Sequence, residues 1–247
     1  MKPLVILKLG TTTPETMARH GDCDQWMIRA IGDSPLPLQS IDILGGAALP
    51  AIEDCAGAIL TGSGAMVTER QPWSEATRAW LQQAVPAGLP VFGVCYGHQL
   101  LADAFGGEVA YHPQGLEIGH VTLERQSASD HDPLFADLPA HFSANATHYQ
   151  SVLRLPDDAT LLLSNAHDPH HAFRLGQHAW GVQFHPEFDT CIMGDNISRK
   201  RERLASEGHD ADALLAALCP TPQAAALLSR FAHYVASLGR HEKISQQ

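Results

Sequence analysis

Short apolar runs rich in branched residues alternate along this chain with stretches in which apolar residues recur every three or four positions. The first spacing is that of buried strands, the second that of helices with one buried face. Leu4 to Leu9 predicts a first strand, and Trp26, Met27, Ala30 and Ile31 form a helical stripe after it. Ala56 to Thr61 predicts a second strand that runs into Gly62-Ser63-Gly64. Trp73 to Val85 reads as a helix with Trp80, Leu81 and Ala84 on one face. Val91 to Val94 is a further strand, and Gly97 to Phe105 a helix stopped by Gly106-Gly107. Such alternation predicts a three-layer α/β sandwich with a mainly parallel central sheet flanked by helices.

From Glu108 to Gln183 strand-like pieces dominate: Glu117 to Leu123, Thr160 to Ser164, His171 to Leu175 and Trp180 to Phe184. They predict an antiparallel extension of the sheet. Beyond Phe188 the pattern is helical again. Ile197 to Glu207 carries enough charge to predict a solvated helix, and Thr221-Pro222 caps a last helix whose core face is Leu227, Leu228, Phe231, Val235 and Leu238. With no repeats and no linker-like stretch, the expectation is one domain over residues 1–247, its helical C-terminal segment beginning at about residue 189 and serving to pack.

Composition narrows the function more than the fold. Sixteen Lys and Arg against 27 Asp and Glu give a net charge of −11, which argues against nucleic acid or an anionic membrane surface as a partner. Five scattered cysteines without a C-x-x-C pair suit a reducing compartment better than a disulfide framework. The apolar start, Leu4 to Leu9, is too short for a signal peptide, and no segment is long enough to span a bilayer, so the expected location is cytoplasmic.

One cysteine stands out. In Val91-Phe92-Gly93-Val94-Cys95-Tyr96-Gly97-His98-Gln99 a buried strand runs into a helix, with a glycine two residues to each side of Cys95. This is how a chain presents a nucleophile on a sharp turn above a helix N-terminus, whose partial positive charge favours the thiolate. A base must lie close to such a nucleophile. Trp180-Gly181-Val182-Gln183-Phe184-His185-Pro186-Glu187 offers one at another strand end: His185 to accept the thiol proton, and Glu187 to orient the imidazole and stabilise its charged form.

Taken together, Gly93-Val94-Cys95-Tyr96-Gly97-His98-Gln99 and Phe184-His185-Pro186-Glu187 resemble the class I glutamine amidotransferases, the triad glutaminases, and within them stand-alone members similar to the glutaminase domain of GMP synthase. The resemblance implies a flavodoxin-like fold and hydrolysis of the glutamine side-chain amide through a cysteinyl thioester, with release of ammonia. It implies an oxyanion hole of backbone N–H groups from Gly62, Ser63 and Tyr96, although Gly62-Ser63-Gly64 stands where relatives carry a Gly-Gly-Pro-like turn. Gln99 is expected to face the substrate. Thr147, His148 and Tyr149 fall where relatives contact the glutamine, with Tyr149 in place of a common glycine.

The other candidates read more simply as structure. His167-Asp168-Pro169-His170-His171 looks like a solvated loop with no matching metal ligands, and Asp130-His131-Asp132-Pro133 like a turn. Gly45-Gly46 and Gly106-Gly107 match no phosphate loop, so no cofactor is expected. Two alternatives stand beside glutamine hydrolysis: a hydrolase of other γ-glutamyl amides or peptides using the same three residues, and a non-catalytic regulatory subunit, which the intact Cys95, His185 and Glu187 disfavour. The expected partners are glutamine or a γ-glutamyl compound, a separate ammonia-accepting synthetase subunit, and a second copy of the chain in a homo-oligomer.

Overall fold

The computed structural model describes the backbone of residues 1–245 and the side chains of residues 1–239. Its first strands are β1 (Leu4–Lys8), β2 (Leu38–Asp42), β3 (Gly57–Leu60) and β4 (Val91–Val94). Then come β5 (Glu108–Tyr111), β6 (Glu117–Arg125), β7 (His141–His148), β8 (Gln150–Arg154), β9 (Ala159–Ser164), β10 (Ala172–Leu175) and β11 (Ala179–Val182). The helices are α1 (Pro14–His20), α2 (Cys23–Ile31), α3 (Pro72–Ala84), α4 (Tyr96–Ala104), α5 (Thr190–Arg199), α6 (Arg201–Ser206), α7 (Ala211–Ala216) and α8 (Pro222–Ser245).

A nine-stranded sheet of order β2-β1-β3-β4-β11-β10-β9-β6-β7 forms the middle layer, and β5 and β8 make a separate two-stranded ribbon. The neighbours from β2 through β11 run parallel, and those from β11 through β7 antiparallel, as the change of pattern after Glu108 predicts. Leu4 and Ile6 point into a layer with Met27, Ile31, Leu227 and Phe231 of α2 and α8. Val5 and Leu7 point the other way, onto Trp80, Leu81, Leu100 and Leu101 of α3 and α4. Burial on both faces is why the parallel strands read as continuous apolar runs rather than as alternation.

The segment from Ile197 to Glu207 departs from expectation. It is not one solvated helix but two short ones, α5 ending and α6 beginning around Lys200, and both Ile197 and Leu204 are fully buried. They belong to a third apolar cluster with Trp26, Leu116, Ile118, Phe188, Ile192 and Met193, which seats α5, α6 and α7 over the end of the sheet. The dense charge of the segment hid two apolar positions a helical turn or two apart. Among the described residues, no helix is long and apolar enough to cross a membrane.

Candidate active site

The site lies where ligands collect in open α/β sheets, at the carboxyl ends of the parallel strands. Strands β4 and β11 are parallel neighbours with Val94 opposite Val182, so Cys95 and the Gln183–Glu187 segment leave the sheet side by side. The Cys95 amide donates to the Val182 carbonyl at 2.8 Å, which fastens the two strand ends together. Cys95 itself has φ 50° and ψ −98°, one of two non-glycine residues at positive φ among those described. An L-residue adopts that conformation at a cost of order 1–3 kcal/mol, and here the turn from β4 into α4 imposes it. The turn also requires Gly97: a Cβ there would lie 2.7 Å from the Leu60 side chain and 2.8 Å from its carbonyl oxygen.

His185 is held from every side. Its Nδ1 and the Glu187 carboxylate are 2.8 Å apart, and both residues are buried. Phe188 stacks on the imidazole, with ring centroids 4.1 Å apart at 19°, and Trp26 packs its edge against Phe188. On the opposite side Gly62 is so close that a Cβ would fall 2.9 Å from the ring. The His185 Nε2 is buried beside Cys95. Burial acts to lower the His185 pKa, but the charges of Glu187 and Cys95 outweigh it and push it up to about 10. The arrangement therefore favours an imidazolium next to sulfur, the state a thiolate nucleophile needs.

The turn after β3 borders the same space. The Thr61 hydroxyl accepts from the Leu9 amide at 2.9 Å and donates to the Gly62 carbonyl at 3.0 Å, fixing the peptide that leads into Ser63. Tyr96 is the first residue of α4, so its N–H has no intrahelical acceptor, and the residue lines the cavity. The Tyr96 hydroxyl is used elsewhere, donating to Ser74 at 2.7 Å.

The remaining residues singled out in the sequence divide. Gln99 reaches the cavity, yet its amide donates to the Gln150 carbonyl at 2.6 Å and to the Gln183 side chain at 3.0 Å, which braces α4 against β8 and β11. The Thr147 carbonyl is 4.0 Å from the Cys95 sulfur, and its hydroxyl accepts from Lys200 at 3.0 Å. Tyr149 faces α6, donating to Glu207 with Arg203 stacked 4.3 Å from its ring centre. His148 turns inwards: its Nε2 meets the Glu117 carboxylate at 2.7 Å.

That last contact overturns the reading of residues 167–171 as a solvated loop. His171 and Asp168 are fully buried, and His171 Nε2 meets the same Glu117 oxygen at 2.9 Å. The Asn165 amide donates to the other Glu117 oxygen at 2.6 Å. Burial acts to raise the Glu117 pKa, but hydrogen bonds and charges from His148 and His171 hold it far below the usual carboxylate range. Glu117, His148 and His171 thus converge tightly enough to resemble a ligand set, whose partners were invisible in sequence because they come from three separate segments, β6, the end of β7 and the turn before β10. The Asp130–Pro133 turn likewise ends in a buried anchor, Asp132, which accepts from the Trp180 indole at 3.1 Å.

Three residues placed at the site have no readable signal in the sequence: Asn145, Phe188 and Lys200. Asn145 sits mid-strand in β7, accepts the His185 amide through its carbonyl at 2.8 Å and donates its side-chain amide to the Phe188 carbonyl at 3.0 Å. Lys200 lines the cavity with Cys95.

Residues 48–201 match the family model of the class I glutamine amidotransferases. A curated GMP synthase (glutamine-hydrolysing) from Aeropyrum pernix is 37% identical over 162 residues, which is 66% of this chain but 29% of that protein. Gamma-glutamyl peptidase 4 of Arabidopsis thaliana is 32% identical over 111 residues, 44% of each chain. The chain thus spans less than half the length of either relative. In fold it superposes on a Thermotoga maritima glutamine amidotransferase with a TM-score of 0.75 at 20% identity, covering 95% of this chain and 98% of the other. With the family model covering more than half of the 247 residues, the chain belongs to the class I glutamine amidotransferase family.

Proposed function

We propose that the chain hydrolyses the side-chain amide of glutamine through a cysteinyl thioester. The observation that carries the reading is Cys95 on a strained strand-to-helix turn, beside an imidazole clamped between Phe188, Gly62 and Glu187. The Cys95 thiolate attacks the amide carbon, and the oxygen becomes an oxyanion facing the N–H groups of Tyr96 and of the Gly62-Ser63 turn. The His185 imidazolium gives its proton to the departing nitrogen, and ammonia leaves. Neutral His185 then takes a proton from water, which cleaves the thioester to glutamate and returns the thiol. Glu187 keeps the ring in register through both steps. In this reading the ammonia passes to a synthetase that accepts it, a role supported by the likeness to GMP synthase.

A second reading, cleavage of larger γ-glutamyl amides or peptides, is favoured by the size of the cavity. It measures about 390 Å³ and continues from Cys95 out to Asn196 and Lys200 under α5 and α6, more room than ammonia needs on departure. The test is release of ammonia or glutamate from glutamine, and of free amine from γ-glutamyl peptides, with Cys95→Ala as control. Turnover lost in that variant supports the thioester route. Unchanged release sinks it.

A further inference from the structure

The chain is strongly acidic, yet the wall of the Cys95 cavity formed by α5 and α6 carries three cations, Arg199, Lys200 and Arg203, and among the described residues the only carboxylate lining the cavity is Glu187, bound to His185. Two of the three cations are already answered. Arg203 pairs with Glu207 at 2.9 Å, and Arg199 lies 3.8 Å from Asp195. Lys200 is different. It is half-buried, its ammonium donates to the Thr147 hydroxyl at 3.0 Å, and among the described residues no carboxylate lies within ion-pair distance of it.

A half-buried ammonium that has shed water without gaining a carboxylate partner is costly, and a neutral hydroxyl compensates only part of the loss. Burial and the neighbouring Arg199 and Arg203 lower its pKa to about 8, against the opposing charges of Cys95 and Glu207, which leaves it charged at neutral pH. Thr147 ties its position to the nucleophile, since the carbonyl of the same residue is 4.0 Å from the Cys95 sulfur. The Cys95 thiolate partly answers this ammonium, but that charge is consumed when the thioester forms, and an anion that arrives with the substrate then takes its place. A carboxylate fits: an ammonium–carboxylate contact is a charge-assisted hydrogen bond, among the stronger polar contacts available to a ligand.

We propose that Lys200 is the carboxylate-binding residue of the Cys95 cavity and selects γ-glutamyl substrates that carry a free carboxylate beside the scissile amide. This rests on the hydrolytic reading above. The carboxylate has two sources, the α-carboxylate of the glutamyl group or a carboxylate on the departing amine, and the experiment separates them. Wild type, Lys200→Met, which keeps most of the aliphatic stem, and Lys200→Arg are compared for kcat/KM on glutamine, γ-glutamylglycine, and both compounds with the relevant carboxyl blocked as an amide.

In Lys200→Met, kcat/KM is expected to fall at least about tenfold on the carboxylate-bearing substrates, with Lys200→Arg recovering part of it and the blocked substrates little affected. A loss on both glutamine and γ-glutamylglycine assigns the α-carboxylate. A loss on γ-glutamylglycine alone assigns the leaving group. Equal losses on free and blocked substrates, or no loss, overturn the proposal. Protection of Cys95 from iodoacetamide, read by mass spectrometry with glutamate or γ-glutamylglycine as protectant, gives a readout that needs no turnover. If wild type hydrolyses nothing yet is protected, and Lys200→Met is not, the hydrolytic reading fails while carboxylate binding stands. If neither is protected, the carboxylate site itself is refuted.

Discussion

Asn145 and His185 are joined through their backbones: the His185 amide donates to the Asn145 carbonyl at 2.8 Å, although 40 residues separate them in sequence. The same asparagine returns a side-chain hydrogen bond to the Phe188 carbonyl at 3.0 Å, so one residue of β7 closes the turn that carries both His185 and Glu187. Asn145→Ala leaves the Phe188 carbonyl unanswered in a buried place, at a cost of about 1–3 kcal/mol in urea unfolding. It also frees the imidazole to drift, and kcat on glutamine should fall by up to roughly a hundredfold with KM much less affected. Unaltered kcat would mean that Phe188 and Glu187 alone hold the ring.

Cys95 separates chemistry from strain. Cys95→Ala should abolish turnover without loosening the fold, while Cys95→Gly, free of Cβ at φ 50°, should be more stable than Cys95→Ala by about 1 kcal/mol. Denaturant midpoints of the two variants decide it, and equal midpoints would show that the surrounding turn carries no strain at this residue.

Glu187 sets the proton affinity of His185, and that has a sign. The folded-state pKa of about 10 lies above the ordinary value of 6.5, so the stabilisation it contributes is complete below about pH 6.5 and disappears as pH rises through 10. Glu187→Gln removes the carboxylate charge. The stability gap between wild type and this variant, measured by urea unfolding at several pH values, should therefore narrow across that window. Turnover should slow less than in Cys95→Ala, because orientation is disturbed while the nucleophile remains.

Glu117 works in the opposite direction. Its carboxyl is held below its ordinary value of 4.5 by His148 and His171, so its stabilisation is present above about pH 4.5 and is lost as pH falls towards the folded value. Glu117→Gln breaks a buried ionic cluster and should cost about 3–5 kcal/mol at pH 7. That difference should shrink in acid, and a constant difference from pH 7 down to pH 3 would rule out an ionised Glu117.

Much of this protein was determined by local pattern. Apolar runs buried on both faces mark β1, β3, β4 and β11, and the 3.6-residue stripes of α2, α3 and α8 read directly, because these elements carry the period of their own burial. Strands β2, β7 and β8 do not read that way. In β2 most side chains are exposed or half-exposed, and in β7 and β8 polar residues such as Asn145, His148, Gln150 and Ser151 are buried because partners from other elements satisfy them.

The same division runs through the site. Cys95 with its flanking glycines and His185 with Glu187 are legible because a strand-to-helix turn and a strand end impose their chemistry on adjacent residues. What the sequence could not contain is adjacency across the fold. The parallel register of β4 with β11 puts Cys95 beside His185, β7 delivers Asn145 beneath them, and Ile197 and Leu204 seat two charged helices so that Lys200 faces the nucleophile. Contacts between residues far apart in the chain are chosen by which apolar faces can be buried together, and only the folded structure makes that choice.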